Sequence, residues 1–276
     1  MNNMNKFKIG DIVARKSYGG DLYFRVAAVI ERGDGKTSYL LKGLVYRLEA
    51  DSYGDDLVRL RPSDAHMILR NEITIARKKS CARRISPWWA HMAAIFRARP
   101  GSVLHLDGSA DYLEMCIKYY REASLNVIGK TVEERKQPEA VGQLIRRYQP
   151  DILVVTGHDA MKKGAGVGSI DNYKNSRYFI ESVREARRIE ASLDRLCIFA
   201  GACQSFFEAI MDAGANFASS PGRIMINALD PAIVSKKIAL TDSRITVTPE
   251  EIAQLTVSGS EGIGGVNTRG RLKTYR

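Results

Sequence analysis

The sequence predicts an α/β protein: a small all-β module at the N-terminus, then a mostly parallel sheet with helices on both faces. Three observations carry this. Residues 6–60 hold short β-prone runs separated by turn residues. From residue 102 onward, continuous apolar runs alternate with helical periodicity, the signature of strands buried on both sides. The 276-residue chain is 45% apolar and 26% charged, enough to bury a core. That composition excludes a disordered polymer, a collagen-like chain and a disulfide miniprotein.

In the N-terminal module the runs are KIGDIVARKSY, DLYFRVAAVIER, SYLLKGLVYRLEAD and DDLVRLRP. Gly19-Gly20, Gly33-Asp34-Gly35 and Ser52-Tyr53-Gly54-Asp55 punctuate them at hairpin spacing. Four or five strands in so short a span predict a small SH3-like β-barrel over residues 1–62. Such barrels dock partners more often than they catalyse.

Residues 63–100 read as a basic helical connector. Across 61–100 nine Lys and Arg face only Asp64 and Glu72, a net +7. Ile68, Ile73, Ile75, Ile85 and Trp88-Trp89 suggest packed helical pieces, broken at Pro87 and Pro100-Gly101.

Residues 101–276 form the larger domain. Strands are expected at 103–106, 126–132, 152–156 and 196–200, with weaker candidates at 215–219 and 237–240. Helices are expected at 110–122, 138–148, 174–192 and 204–213, the second opened by Pro138. The glycine-rich run Gly164-Ala165-Gly166-Val167-Gly168 lacks the lysine of a phosphate loop and reads as a loop beside the site.

In such sheets function gathers at the carboxyl ends of strands. Three ends here carry reactive side chains: Asp107, His158 and Cys203. A thiol after a strand and before a helix suits a nucleophile, and an imidazole on a parallel strand end suits an acid to a leaving amine. Singly, each is more simply a buried Cys or a loop His; together they favour catalysis. Cys197 lies inside its strand as inert core, Cys116 on the apolar side of a helix, and Cys81 in the basic stretch has no partner. The four cysteines form no CxxC pair, so neither a metal site nor a disulfide framework is expected. No cofactor is expected. The apolar runs are too short for a bilayer, residues 1–10 lack a signal-like stretch, and a reducing interior fits.

The blocks ILVVTGHD and LCIFAGAC resemble the caspase-like (clan CD) cysteine peptidases. The whole chain, from KFKIGDIVARKSYGGDLYFRV through GLVYRLEADS and GACQSFFEAI, resembles the YabG family of sporulation-specific proteases. That resemblance implies a caspase-like peptidase domain over 101–276 and a cysteine endopeptidase made in the mother cell of a sporulating bacterium, later in the spore coat. Its implied substrates are spore coat and cortex-associated proteins, cut preferably at Arg. His158 and Cys203 match the catalytic positions. Most of the broader clan has Gly directly after the His, whereas here Gly157 precedes and Asp159 follows. The oxyanion donors are therefore sought among the backbone N–H groups of Gly157, Asp159 and Cys203. Asp107 is the expected carboxylate for a substrate's Arg, with Asp159 and Asp230 in reserve; its alternative role is a helix cap. Arg83-Arg84, Arg146-Arg147 and Arg187-Arg188 are basic pairs, and self-processing is expected only at the first, since the others fall on helices.

A rival reading is a non-catalytic basic binding module. The formal charge of +11 attracts nucleic acid or an acidic coat scaffold equally well. It leaves Cys203 and His158 as coincidences, so nucleic acid is permitted as a partner but not favoured.

Overall fold

The structure, a computed structural model, describes residues 7–20, 22–32, 36–81, 97–162, 164 and 166–275. The chain divides into two compact units, Met1–Ile75 and Ala76–Arg276. Pro87, the Trp88-Trp89 pair and Arg83-Arg84 lie outside the described residues.

The first unit holds β1 (Ile12–Arg15), β2 (Tyr23–Glu31), β3 (Thr37–Gly43), β4 (Glu49–Tyr53) and β5 (Leu57–Arg59). They form one antiparallel sheet in the order β4-β3-β2-β1-β5. Alternation along the strands sends Val13, Phe24, Val26, Tyr39 and Leu41 into a core with Phe7 and Leu57. The β2–β3 register shifts between Val26 and Ala28, a bulge of the kind that bends a strand. Helix α1 (Pro62–Cys81) opens on a proline and has no breaking residue inside it. Its first turns pack Ala65, Ile68 and Leu69 against Leu44 and Val45. The boundary between the units falls within this helix.

In the second unit β6 (Arg97–Arg99) is a strand where the sequence suggests helix; it gains a partner only from the far end of the chain. There follow β7 (Val103–Asp107), α2 (Ala110–Glu122), β8 (Val127–Thr131), α3 (Gln137–Tyr148), β9 (Ile152–Thr156) and α4 (Ser176–Ile189). Next come β10 (Cys197–Ala200), α5 (Phe207–Asp212), β11 (Phe217–Ser219), α6 (Asp230–Leu240), β12 (Thr246–Val247) and α7 (Pro249–Leu255). The chain closes with α8 (Gly259–Gly262), β13 (Ile263–Gly265), β14 (Thr268–Arg269) and β15 (Lys273–Tyr275), which pairs with β6.

The main sheet runs β13-β11-β10-β9-β7-β8, parallel throughout except for β13. Leu104, Leu106, Leu153, Val155, Ile198 and Ala200 pack on Val141 and Ile145 of α3, Phe179 and Val183 of α4 and Ile210 of α5. On the other face α6 packs against β9, β10 and α2.

Two sequence expectations are corrected here. Residues 237–240 are the last turn of α6, not a strand. Nearly every side chain of α6 is buried, so it lacks the polar stripe that would have marked a helix. Helix α5 begins at Phe207 rather than at residue 204, because 204–206 form an irregular turn. Cys203 is therefore not at a helix N-terminus.

Candidate active site

Parallel pairing fixes the site. Val155 of β9 stands opposite Ala200 of β10, and His158 and Cys203 each lie three residues further along. Neighbouring strands are ~4.8 Å apart, so the two loops leave the sheet side by side. Asp159 holds them together. Its carboxylate accepts Ser205 Oγ at 2.9 Å, Ser176 Oγ, and the N–H groups of Ala160 and Asn175 at 2.9 and 2.7 Å. Ser205 Oγ in turn accepts the Ala202 N–H at 2.9 Å. Burial raises the Asp159 pKa, while these donors pull it back.

Cys203 is fully buried and His158 is 5% exposed. Residues 220–227 close over the thiol. The Ile226 N–H donates to Cys203 Sγ at 3.1 Å, and the Gln204 N–H donates to Ile224 O and Ser220 Oγ, both at 3.1 Å. Gln204, Ser220 and Arg223 all have positive φ (54°, 68°, 56°), as does Gly201 at 106°. Three non-glycine residues in that region around one cysteine are a concentration of backbone strain of the kind that marks functional sites. Arg223 fastens the covering segment: it reaches the Tyr173 hydroxyl at 3.0 Å, pairs with Glu208, and lies over the stacked rings of Tyr173 and Phe206.

His158 is held on its other flank by a residue that sequence reasoning missed. Glu134 begins the short 3-10 turn after β8, and its Oε1 accepts the His158 N–H at 2.7 Å and lies 3.3 Å from Nδ1. The Tyr112 ring sits 5.6 Å from the imidazole, centroid to centroid. Burial would raise the Glu134 pKa, but the hydrogen bonds from His158 outweigh it and hold the carboxyl below its usual range.

A family model described as YabG peptidase U57 matches residues 8–275. The chain belongs to this family. It is 38% identical over 283 aligned residues to Sporulation-specific protease YabG of Bacillus subtilis (strain 168), across 97% of each chain. Membership makes the chain a YabG-family peptidase, with a strand-end cysteine and histidine at the centre of its larger unit.

The remaining sequence candidates of this YabG-family chain sit apart from solvent. Asp107 was expected to face a substrate's Arg, but it is fully buried and its two oxygens are engaged. Oδ1 accepts the Ser109 N–H and Oδ2 the Thr156 hydroxyl, both at 2.9 Å. Thr156 Oγ1 is also 3.2 Å from His105 Nε2, whose ring reaches the Tyr120 hydroxyl at the same distance on the other side. In this network Asp107 ties the end of β7 to Ser109, the residue before α2, without capping the first turn of that helix. The space beside Gly108 is filled by the Glu134 carboxylate. Replacing Asp107 with Asn should lower the melting temperature while leaving the preferred cut site unchanged; normal melting with a lost preference would return Asp107 to the substrate.

Asp230, the other reserve, is also fully buried and accepts the Val257 and Ser258 N–H groups at 2.7 and 3.1 Å. Desolvation pushes its pKa from 3.8 up to about 6. A carboxyl that binds its proton more tightly when folded destabilises the fold as pH rises from about 4 to above 6. The cost is of order 3 kcal/mol. Thermal melts of wild type and Asp230→Asn from pH 5 to pH 7 should therefore diverge, the wild type losing more stability as pH rises. Parallel curves would exclude this contribution.

Burial drives the Cys197 pKa up to about 12, an inert core thiol, and the Cys116 thiol donates to Ala228 O at 3.3 Å. Among the described residues no group of three or more His, Cys, Asp or Glu could hold a metal ion. Among them, too, no helix is long and apolar enough to cross a membrane.

Proposed function

We propose that this chain is a cysteine endopeptidase of sporulation in which Cys203 is the nucleophile and His158 its acid–base partner. The observation that carries this is their matched position beyond paired residues of adjacent parallel strands, with a carboxylate on the histidine's far side. Cys203 Sγ attacks the scissile carbonyl carbon, and its proton passes to His158. The tetrahedral intermediate collapses to a thioester as His158 protonates the leaving amine. Water, deprotonated by His158, then hydrolyses the thioester.

The His158 N–H is already given to Glu134. The oxyanion donors are therefore the N–H groups of Gly157, Asp159 and Cys203. The larger unit is read as a caspase-like domain and the first unit as an SH3-like docking module. Substrates are spore coat and cortex-associated proteins cut at Arg, and the sporulation role follows from the named relative. The setting is the mother-cell cytoplasm and then the coat. Because residues 220–227 cover Cys203, substrate entry requires that segment to lift.

Mass-spectrometric mapping of cut sites, wild type against Cys203→Ala, tests this reading. Cuts at Arg that vanish in the variant support it. The same cuts at the same rate in the variant would sink it.

A further inference from the structure

We infer that Glu134 positions the His158 imidazole for catalysis, and that residues 108 and 157 are glycine so that its carboxylate can reach the ring. This rests on the Cys203–His158 reading above and adds a third member to it.

The sheet order is the first support. Strand β9, which carries His158, lies between β10 and β7, and β8 follows on the outer side of β7. Glu134 arrives from the β8 side and Cys203 from the β10 side, so residue 158 leaves the sheet between them. A carboxylate accepting Nδ1–H on one edge fixes the tautomer that leaves the Nε2 lone pair for the thiol on the other.

Local chemistry is the second support. Glu133, next in the chain, is half exposed and pairs with Arg135 and Lys136 in the ordinary surface manner. Glu134 turns the opposite way; its side chain is 13% exposed and its carboxylate meets His158. Glu134 is thus the one charged side chain of the VEERK stretch drawn under the strand ends.

Room for it is the third. A Cβ at Gly108 would come within 2.1 Å of Glu134 Oε1, and one at Gly157 within 2.2 Å. Both glycines follow the ends of strands, β7 and β9, and both distances are impossible for real atoms. The carboxylate ends a flexible side chain and could swing aside cheaply, but swinging aside breaks its bond to His158. An added methyl at Gly108 therefore spares the fold and strikes the contact.

The test uses the full chain and a fluorogenic peptide with Arg before the cut bond. Glu134→Gln should lower kcat roughly 10- to 100-fold, part of the 10²–10⁴ that general acid–base catalysis contributes, with KM within about twofold. Gly108→Ala should reproduce the fall in kcat without lowering the melting temperature. The double variant should be no slower than either single one, since all three act through one contact. A Glu134→Gln enzyme with wild-type kcat, beside an inactive Cys203→Ala, would overturn the role of Glu134 alone. An active Cys203→Ala would overturn the site on which it depends.

Discussion

Cys203→Ser and His158→Gln are each expected to reduce peptide cleavage by at least about a thousandfold, the scale on which catalytic triads fail when one member is lost. Combining them should cost little more, because neither group acts without the other. These substitutions also keep the fold. Serine retains an acceptor for the Ile226 N–H, whereas alanine leaves that buried donor unmet at a cost of about 1–3 kcal/mol. Glutamine at 158 keeps a side-chain donor for Glu134, beside the backbone N–H of residue 158 that the carboxylate also accepts. Circular dichroism and melting curves close to wild type, with no turnover, are the expected pair of results. Full turnover in either variant would dismiss the residue from the chemistry.

Arg187→Ala should destabilise the larger unit by roughly 3–5 kcal/mol, a fall in melting temperature of order 10 °C. Its guanidinium gathers the carbonyls of Glu190, Ser192 and Leu196 at 3.2, 3.3 and 3.0 Å, and Gly214 O at 2.7 Å. It also donates to Asn216 Oδ1 at 2.7 Å, the same oxygen that accepts the Ile198 N–H. One side chain thus closes the end of α4 against the start of β10 and the entry to β11. Partial desolvation lowers its pKa to about 10, still far above any working pH. Lysine cannot offer the planar fork, so Arg187→Lys should fall between wild type and Ala. A melt shifted by less than about 2 °C in Arg187→Ala would refute this account. The Arg187-Arg188 pair is accordingly fixed in helical backbone, as is Arg146-Arg147 in α3.

The strands that present the site were readable because each is a continuous apolar run, and β9 and α2 match their expected limits residue for residue. His158 and Cys203 were readable because each directly follows such a run. Glu134 was not. It stands among charged neighbours with no apolar pattern, and only the pairing of β8 with β7 brings it to the histidine. The signal that could have found it is indirect: a glycine just beyond each of two neighbouring strands. Asp107 misled for a related reason. A carboxylate at a strand end looks the same in sequence whether it meets solvent or, as here, a threonine hydroxyl and a backbone amide. The apolar spacing of residues 204–213 suggested a helix running back to Cys203, but Gln204 adopts a left-handed backbone and the helix starts later.

The last turns of α1 belong to the larger unit: Ala76 is fully buried, Arg77 pairs with Glu122, and Lys79 Nζ reaches Thr256 O and Val257 O at 3.3 and 3.4 Å. β6 is paired with β15 at the chain's other end. A nick at Arg83-Arg84 falls between these two anchorages. The downstream fragment would carry every strand of the main sheet, and the upstream fragment would stay clasped to it by its own C-terminal turns. Cleavage and separation then become two events. Exposed ion pairs contribute at most about 1 kcal/mol each and weaken with salt, so ionic strength helps set when the halves part. A nicked preparation would run as two bands on a denaturing gel and elute as one particle from a low-salt column.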